Sequence, residues 1–309
     1  MNQSYQFVAI DISKSTLEIK TETQNFKLSN DSKGIQKLIE SIVTIQSPFV
    51  VCEATGGYER LLMQHLHEHK IPVARVNPTR IRAFAKSEGI KAKTDPIDAK
   101  IILQFAQQKQ LRATPAPDPD RQLLADLMDR RAHLSEQLAR EKNRIQNCPH
   151  SIVESIQRIS SVLEQEIKLI DQQIRELIGS NLKIHKLNQL LQSVCGVGKI
   201  TSWTLLAYLH ELGHLKRNQI VALAGLAPYN RDSGSIAGKR YIQRGRAKIR
   251  KCLYMAARTA AQHNPLIRNY VNDLMLRGKA YHCALVAAMR KILIHLHILV
   301  KNYQLTLDL

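Results

Sequence analysis

Four carboxylates occur at places in the sequence where folding can bring them together. Asp11 lies in a β-branched run, FVAIDI, and Glu53 ends a second apolar run, PFVVCE. Asp95 and Asp98 open a helical stretch and, being three residues apart, face the same side of it. Converging carboxylates can hold two Mg²⁺ ions about 4 Å apart, one at the attacking and one at the leaving oxygen of a phosphodiester. The pattern predicts a two-metal site, with Mn²⁺ as a substitute ion.

Each of these acids also has a purely structural explanation. Asp11 can bond a serine just beyond its strand, Glu53 can pair with Arg60, and Asp95 can cap the helix that it begins. An aspartate between two isoleucines nevertheless needs a cation or another polar partner. The occurrence of all four at element ends in one basic protein favours the metal site.

A second candidate group is Ser233, which precedes Gly234 in a loop rich in small residues. Between Lys216 and Lys251 there are ten Lys or Arg residues and one acid, a bias that predicts contact with a polyanion. The cations nearest the serine, which can offset negative charge on a phosphate, are Arg231, Lys239, Arg240, Arg244 and Arg246.

The local sequence alone does not establish Ser233 as a nucleophile. A serine needs activation, and the loop contains no His or Cys, since the nearest, His214, is nineteen residues upstream. A serine that only shapes a turn is the simpler interpretation from these residues. Ser235 is a competing hydroxyl in the same loop.

The overall charge supports a nucleic-acid partner. The chain has 309 residues with 45 Lys and Arg against 26 Asp and Glu, a net charge of +19 that is distributed in patches. Its five cysteines are far apart and form no C-x-x-C pair, which favours reduced thiols without structural zinc. No secretory signal and no run of 18 uncharged apolar residues is present. We therefore expect a cytoplasmic, nucleoid-associated bacterial protein without a membrane segment.

The pattern of elements predicts three domains. Residues 1–117 alternate short apolar runs with helical stretches, as expected for a mixed α/β domain. The order strand with Asp11, hairpin, strand with Glu53, helix with Asp98 is that of an RNase H-like domain of the RuvC kind. Basic residues lead into the last of these helices and are expected to contact a nucleic-acid backbone: Arg80, Arg82, Lys86 and Lys93.

Residues 118–180 carry aliphatic residues at three-and-four spacing in two long stretches. They predict an antiparallel helical hairpin or coiled coil, and the pattern leaves open whether it is a rigid spacer or an oligomerisation element. Ser151 and Glu154 have capping-box spacing at the expected start of the second helix.

Residues 181–309 are predicted to be mainly helical. Gly196, Val197 and Gly198 separate two helical stretches, and this resembles a helix-hairpin-helix unit whose turn and following Lys199 bind a phosphate. An ordinary packing corner between two helices is the alternative.

Five segments in this order resemble the DEDD transposases of bacterial insertion sequences, the "one-ten" group, whose relatives include Piv-type DNA invertases and bridge-RNA-guided recombinases. They are VAIDISKSTLEI, VCEATGGYE, KTDPIDAKI, SVCGVGKITSWTLL and ALAGLAPYNRDSGSIAGKRYIQRGRAKIRKCLYMAA. The resemblance implies a RuvC-like domain with Asp11, Glu53, Asp95 and Asp98 as its acidic tetrad. It also implies that Ser233 is the nucleophile, that the active form is a dimer or tetramer sharing sites between protomers, and that a structured RNA guides the choice of DNA.

Two other functions remain open from the sequence. A Holliday-junction resolvase or similar nuclease would use the acids and water and would not need Ser233. A non-catalytic nucleic-acid-binding protein would not need Asp11. Transposition and inversion are both compatible with the sequence, as are different DNA sites.

Overall fold

The computed structural model describes residues 5–90, 95–229 and 241–306, and the side chains of 95–97 lie outside that description. The chain divides into two compact units, Met1–Ala116 and Pro117–Leu309. The first is a mixed α/β unit and the second is mainly helical, so the predicted fold class is confirmed at this level.

A five-stranded sheet forms the centre of the first unit, with the order β3-β2-β1-β4-β5. Its strands are β1 Gln6–Ile12, β2 Thr16–Lys20, β3 Asn25–Ser29, β4 Pro48–Glu53 and β5 Val73–Val76. The hairpin strands are antiparallel, whereas β1, β4 and β5 are parallel neighbours. The parallel strands are nearly continuous apolar runs, because helices cover both faces of the sheet.

Two helices pack on each face of this sheet. The helices are α1 Ser32–Val43, α2 Arg60–Glu68, α3 Pro78–Ser87 and α4 Asp95–Gln108. The side chains of Val8, Ile10 and Ile12 face α1 and α2, and those of alternate strand positions face α3 and α4. Helix α3 was not among the predicted helices, although Asn77 caps it by accepting from Thr79 N–H at 2.8 Å and proline follows at the first position.

The second unit begins with the expected antiparallel hairpin, made of α5 Pro119–Ile145 and α6 His150–Ser180. Arg131 pairs with Asp171 at 2.5 Å, while Lys142, further along α5, pairs with Glu164 at 2.7 Å, earlier in α6. The predicted capping box is wrong. The helix begins before it, at His150, and has no side-chain cap.

Six further helices and a short ribbon complete the second unit. They are α7 Leu182–Gln192, α8 Lys199–Tyr208, α9 Arg217–Leu223, β6 Pro228–Tyr229, β7 Tyr241–Ile242, α10 Ala247–His263, α11 Pro265–Leu276 and α12 Tyr281–Leu305. The hairpin shares their core, since Leu124 and Ile174 are fully buried within it. The Tyr208 hydroxyl also donates to Asp129 Oδ1 at 2.6 Å. The part of the hairpin that contains Leu124, Asp129 and Ile174 is therefore held against the other helices of the unit by both packing and hydrogen bonds.

One described helix, α12, is long and apolar enough to cross a membrane, but half of its most apolar window is buried inside the unit. Ala284, Leu285 and Leu293 are completely buried. His297 is also buried, and its Nδ1 accepts from Gly213 N–H at 3.0 Å. These contacts make α12 the core helix of the unit.

Candidate active site

Asp11 and Glu53 lie side by side at the carboxyl edge of the sheet. Their strands are parallel neighbours with Ile10 opposite Cys52, so the two acids are the next residues on each strand. Strand alternation places them on the face that α4 covers, with Ala9 below Asp11. Both side chains are half-buried. The fold thus brings together two acids that are 42 residues apart in the sequence.

Helix α4, which carries Asp98 near its start, runs along the sheet and begins toward the same edge. At its far end, Gln107 Nε2 donates to Glu22 Oε1 at 3.0 Å, in the β2–β3 turn beside the start of β1. After α4, Thr114 N–H donates to the Val73 carbonyl at 2.7 Å, where β5 begins. Since α4 ends at the edge where the parallel strands begin, it starts at the opposite edge, where Asp11 lies. Asp98 is half-buried there.

The fourth predicted acid, Asp95, is the first residue of α4, but its side chain lies outside the described residues. Among the side chains that are described, no group of three or more His, Cys, Asp or Glu residues is arranged to hold a metal ion. Carboxylate oxygens are the donors that Mg²⁺ and Mn²⁺ prefer, and Asp11 and Glu53 supply such oxygens side by side at one sheet edge.

Glu18 is a further carboxylate beside Asp11 that was not among the predicted site residues. It lies directly opposite Asp11 in the β1–β2 ladder and is only 8% exposed. Its neighbours Leu17 and Ile19 face the other core, so Glu18 points to the same sheet face as Asp11. Like charges directly opposite each other repel, and a cation near them offsets that cost. The alternation of apolar and polar residues in TLEIK was the sequence signal that could have identified the sheet face on which Glu18 lies.

A buried glutamate organises the loop that follows Glu53. Glu59 Oε2 accepts hydrogen bonds from Gly57 N–H at 2.8 Å and from the Thr55 N–H at 3.2 Å, and Arg75 Nη1 lies 3.4 Å from its Oε1. Burial opposes ionisation, but the backbone N–H groups of the loop and the charge of Arg75 outweigh it and hold the pKa of Glu59 below its ordinary value. Glu59 was not among the predicted site residues.

The two most buried thiols offer no nucleophile. Burial raises the pKa of Cys52 to about 12, and the nearby charge of Glu59 adds to the effect. Burial likewise raises the pKa of Cys252 to about 12. A thiol with such a pKa is protonated at neutral pH and packs as a small apolar group.

The cations predicted to contact nucleic acid in the first unit lie on α3. Arg82 and Lys86 are exposed and one helical turn apart. Arg80 is exposed too, but its guanidinium lies over the Phe105 ring at 5.2 Å from the centroid, which helps to join α3 to α4. Lys93 lies outside the described residues.

The Gly196–Gly198 turn joins α7 to α8, as expected. Gly196 has φ of 91°, and a Cβ there would lie 2.4 Å from the Ala256 carbonyl oxygen, so this glycine permits close packing on α10. Gly198 and Lys199 are exposed at the N-terminus of α8. Gly198 and Lys199 are therefore the two predicted phosphate-binding residues of this turn that are exposed to solvent.

The segment that carries Ser233 is closed at its base. Tyr229 pairs with Tyr241 in the β6–β7 ribbon, which brings the two ends of the loop side by side. Beyond this pair, the backbone at Gly245 lies close against the backbone at Gly225, since a Cβ on Gly245 would lie 2.3 Å from Gly225 N. The loop residues themselves, Ser233, Ser235, Arg231, Lys239 and Arg240, lie outside the described residues.

Arg246 has a structural role that the sequence did not reveal. Its Nη1 donates to Glu211 Oε2 at 2.7 Å and to the Tyr208 carbonyl at 2.6 Å, and its Nη2 donates to Glu211 Oε1 at 2.6 Å. Burial would raise the pKa of Glu211, but the hydrogen bonds and charge of Arg246 lower it below its ordinary value. Arg244 is exposed. A contact of either arginine with nucleic acid stays a prediction.

We expect Arg246→Ala to lower the free energy of unfolding by about 2 kcal/mol at pH 7, because it leaves Glu211 half-buried without its partner. Since the folded-state pKa of Glu211 is lowered, this contribution is present above the unfolded pKa near 4.5 and is lost as pH falls through the lower folded pKa. Urea unfolding at several pH values measures it. Arg258→Ala, at an exposed position of α10, the helix that Arg246 immediately precedes, is the control, and an equal effect of both variants would contradict the structural role.

Two family models match the chain. A transposase model of the DEDD, IS110 type matches residues 8–153, and a model described as the transposase IS116/IS110/IS902 family matches residues 188–272. The first match includes the four predicted acids, and the second includes the Gly196–Gly198 turn and Ser233.

Similar proteins agree with this match. The pilin gene-inverting proteins of Moraxella lacunata and Moraxella bovis are each 29% identical to the chain, over 306 and 303 residues, and each comparison covers 94% of both proteins. An uncharacterized 42 kDa protein of insertion element IS900 from Mycobacterium paratuberculosis is 28% identical over 177 residues, 54% of this chain and 44% of that protein. The expected resemblance is confirmed: the chain belongs to the IS110/IS116/IS902 family of transposases and is a DNA transposase/recombinase.

Proposed function

We propose that the protein is a site-specific recombinase that cuts and rejoins DNA through a phosphoserine intermediate at Ser233. The observation that carries the proposal is the adjacency of Asp11 and Glu53 at the carboxyl edge of the sheet, with the start of α4 on the same face. In the proposed reaction Ser233 Oγ attacks a phosphodiester, forming an Oγ–P bond while the bond from phosphorus to a sugar oxygen breaks. The serine proton passes to solvent, and the departing sugar oxygen takes up a proton from solvent to become a hydroxyl. A sugar hydroxyl of a DNA end later attacks the phosphoserine, which rejoins the DNA and frees the serine.

We propose further that the first unit is RNase H-like and RuvC-like. The strand order and directions support this, because they place the ends of β1 and β4 next to each other. Asp11, Glu53, Asp95 and Asp98 would hold one or two Mg²⁺ ions. When bound, such ions would stabilise the negative charge on the attacking and leaving oxygens of the phosphodiester. The side chains orient that site from a sheet edge and a helix start, which are rigid elements.

The DNA substrate explains the distribution of positive charge. Arg82 and Lys86 on α3 and Lys199 at the start of α8 are exposed, so each can reach a phosphate backbone. Arg231, Lys239 and Arg240 flank Ser233 in the sequence and are proposed to offset charge on the reacting phosphate. We assign the protein to the bacterial cytoplasm, where its DNA is found.

The choice of DNA site is proposed to come from a structured RNA of the same element. This part rests on the resemblance to RNA-guided members of the family. Sequencing of nucleic acid that copurifies with the native protein tests it. A discrete structured RNA is the expected result, and its absence would favour a protein-guided inversion of the kind that the name of the Moraxella proteins indicates.

A homo-oligomer is proposed as the active form, and α6 carries a surface that supports it. Four apolar side chains are about half exposed along one strip beside the seam with α5: Ile152 at 46%, Ile159 at 51%, Val162 at 54% and Leu169 at 53%. Two pairs in the strip are seven residues apart, a spacing typical of helix–helix contacts between chains. A second copy of this helix would cover them.

The double substitution Ile159→Asp and Val162→Asp is expected to weaken self-association at least about 100-fold, because it places two charges in an apolar contact. Light scattering coupled to gel filtration measures the mass as a function of concentration. Ser161→Asp adds a charge on a different side of α6 and is expected to leave the mass unchanged. A double variant with the mass of the wild type would exclude this strip as the interface.

The recombinase function itself is tested in bacterial cells with a plasmid that carries the gene's own element and its flanking DNA. Expression of the protein is expected to produce new DNA junctions, detected by amplification across the element ends. The order of the flanks in the products distinguishes transposition from inversion. If no rearranged junction forms with the wild-type protein and its RNA, the proposed function is wrong.

A further inference from the structure

The chain that follows each of the two adjacent acids leaves the sheet at the same edge. The β1–β4 ladder pairs residues up to Ile10 and Cys52, so its hydrogen bonds do not extend beyond Asp11 and Glu53. The ladder thus sets the backbone spacing up to the two acids, and other contacts hold the segments that follow them. On the β4 side, the buried Glu59 side chain holds the loop that follows Glu53 by accepting hydrogen bonds from the N–H groups of Thr55 and Gly57.

Asn30 connects that loop to the end of β1. It lies between β3 and α1, and its Nδ2 donates to the Ser13 carbonyl at 2.9 Å and to the Tyr58 carbonyl at 3.2 Å. Ser13 is two residues after Asp11, and Tyr58 immediately precedes Glu59. The backbone N–H of Asn30 also donates to the Ser15 carbonyl at 2.9 Å. One side-chain amide thus spans the two segments that emerge from the acid-bearing strands.

The chemistry of the contact requires an amide at this position. Both acceptors are carbonyl oxygens, so only the NH₂ group can face them, and it has the two protons that two acceptors need. An aspartate of the same size has no proton to donate and would face two carbonyl dipoles with a negative charge. The orientation of the Asn30 amide follows from its partners.

We propose that Asn30 is a positioning residue for the divalent-cation site: it joins the segments that follow Asp11 and Glu53 and so steadies the strand ends from which the two carboxylates extend. The inference rests on the proposed function, since it assumes that these acids share a cation. Two carboxylates bind one ion well only at a fixed separation, and loss of the groups that orient metal ligands commonly weakens metal affinity 10- to 100-fold, about the range expected here.

The test measures Mn²⁺ binding to the metal-free full-length protein by calorimetry, without DNA. We expect Asn30→Ala to raise the Kd for Mn²⁺ about 10- to 100-fold. Asn77→Ala is the matched control, because it also removes a side-chain hydrogen bond from the same unit but only uncaps α3. The thermal midpoint of each variant is recorded alongside, since a merely structural role would lower both midpoints and leave both Kd values alike.

Asn30→Gln provides a second measurement if Asn30→Ala does not fold. It keeps the amide but displaces it by one methylene, so a several-fold rise in Kd is expected. A Kd equal to that of the wild type in Asn30→Gln, or equal to that of the control in Asn30→Ala, overturns the proposal.

Asp11→Asn separates this inference from the function on which it rests. If Asp11→Asn abolishes Mn²⁺ binding while Asn30→Ala binds like the control, the role of Asn30 alone is wrong. If the wild type binds no Mn²⁺, or Asp11→Asn binds it normally, both the metal site and the role of Asn30 fall together.

Discussion

Ser233→Ala is expected to abolish DNA strand cleavage, lowering recombination by at least about 10⁴-fold, the scale of loss when a covalent nucleophile is removed. The variant should bind DNA normally, because it loses one hydroxyl and no charge. Labelled DNA from the element ends, incubated with protein and separated under denaturing conditions, should show a protease-sensitive covalent adduct with the wild type. No adduct should form with Ser233→Ala.

Ser235→Ala is the matched control for this experiment. It removes a second hydroxyl two residues away in the same loop, and it should retain the adduct. An adduct that is lost in Ser235→Ala and kept in Ser233→Ala would assign the nucleophile to Ser235. Cleavage without any adduct in both variants would instead favour a nuclease that uses the acids and water.

Asp11→Asn is expected to lower strand cleavage by at least about 10³-fold, because it removes a negative charge and an oxygen ligand from the proposed cation site. The loss should appear with Mg²⁺ and with Mn²⁺, and DNA binding should be retained or slightly strengthened by the removal of a negative charge. Cleavage rates at increasing metal concentration, together with a DNA-binding titration, measure the two effects separately.

Glu40→Gln is the control for Asp11→Asn, since it neutralises an exposed carboxylate on α1 in the same unit. Its cleavage rate should equal that of the wild type. A cleavage rate for Asp11→Asn that also equals the wild-type rate would exclude the acid from catalysis and favour a non-catalytic role for the first unit.

The strands and most helices could be predicted from the sequence because their signals are local. The run PFVVCE is long enough and apolar enough to be a buried strand, and β4 covers those residues. The two long helices of the hairpin follow from aliphatic residues repeated at helical spacing. The missed helix α3 also had a local signal, the Asn77–Pro78 start, which was overlooked among its basic residues.

The candidate site could be predicted only in part. Residue type, position and resemblance predict the four acids and Ser233, and the strand register makes Asp11 and Glu53 neighbours at one edge of the sheet. The grouping of Asp95 and Asp98 with them, and the role of Ser233, stay predictions. Glu18 was missed because its role depends on which residue lies across the ladder, and that is decided by strand register. The function of Arg246 was missed for a similar reason, since its partner Glu211 is 35 residues away.

By itself the sequence determined the order of the strands and of most helices, the positive charge that favours nucleic acid, the candidate acids and nucleophile, and the family. Those properties depend on residue type and short spacing. Only the tertiary structure decided that Asp11 and Glu53 are neighbours, that Asn30 joins the segments beyond them, and that Gly196 packs against α10. The physical reason is that each of these contacts joins residues that are distant in the chain, and the packing of a whole unit sets their separation to within the length of a hydrogen bond.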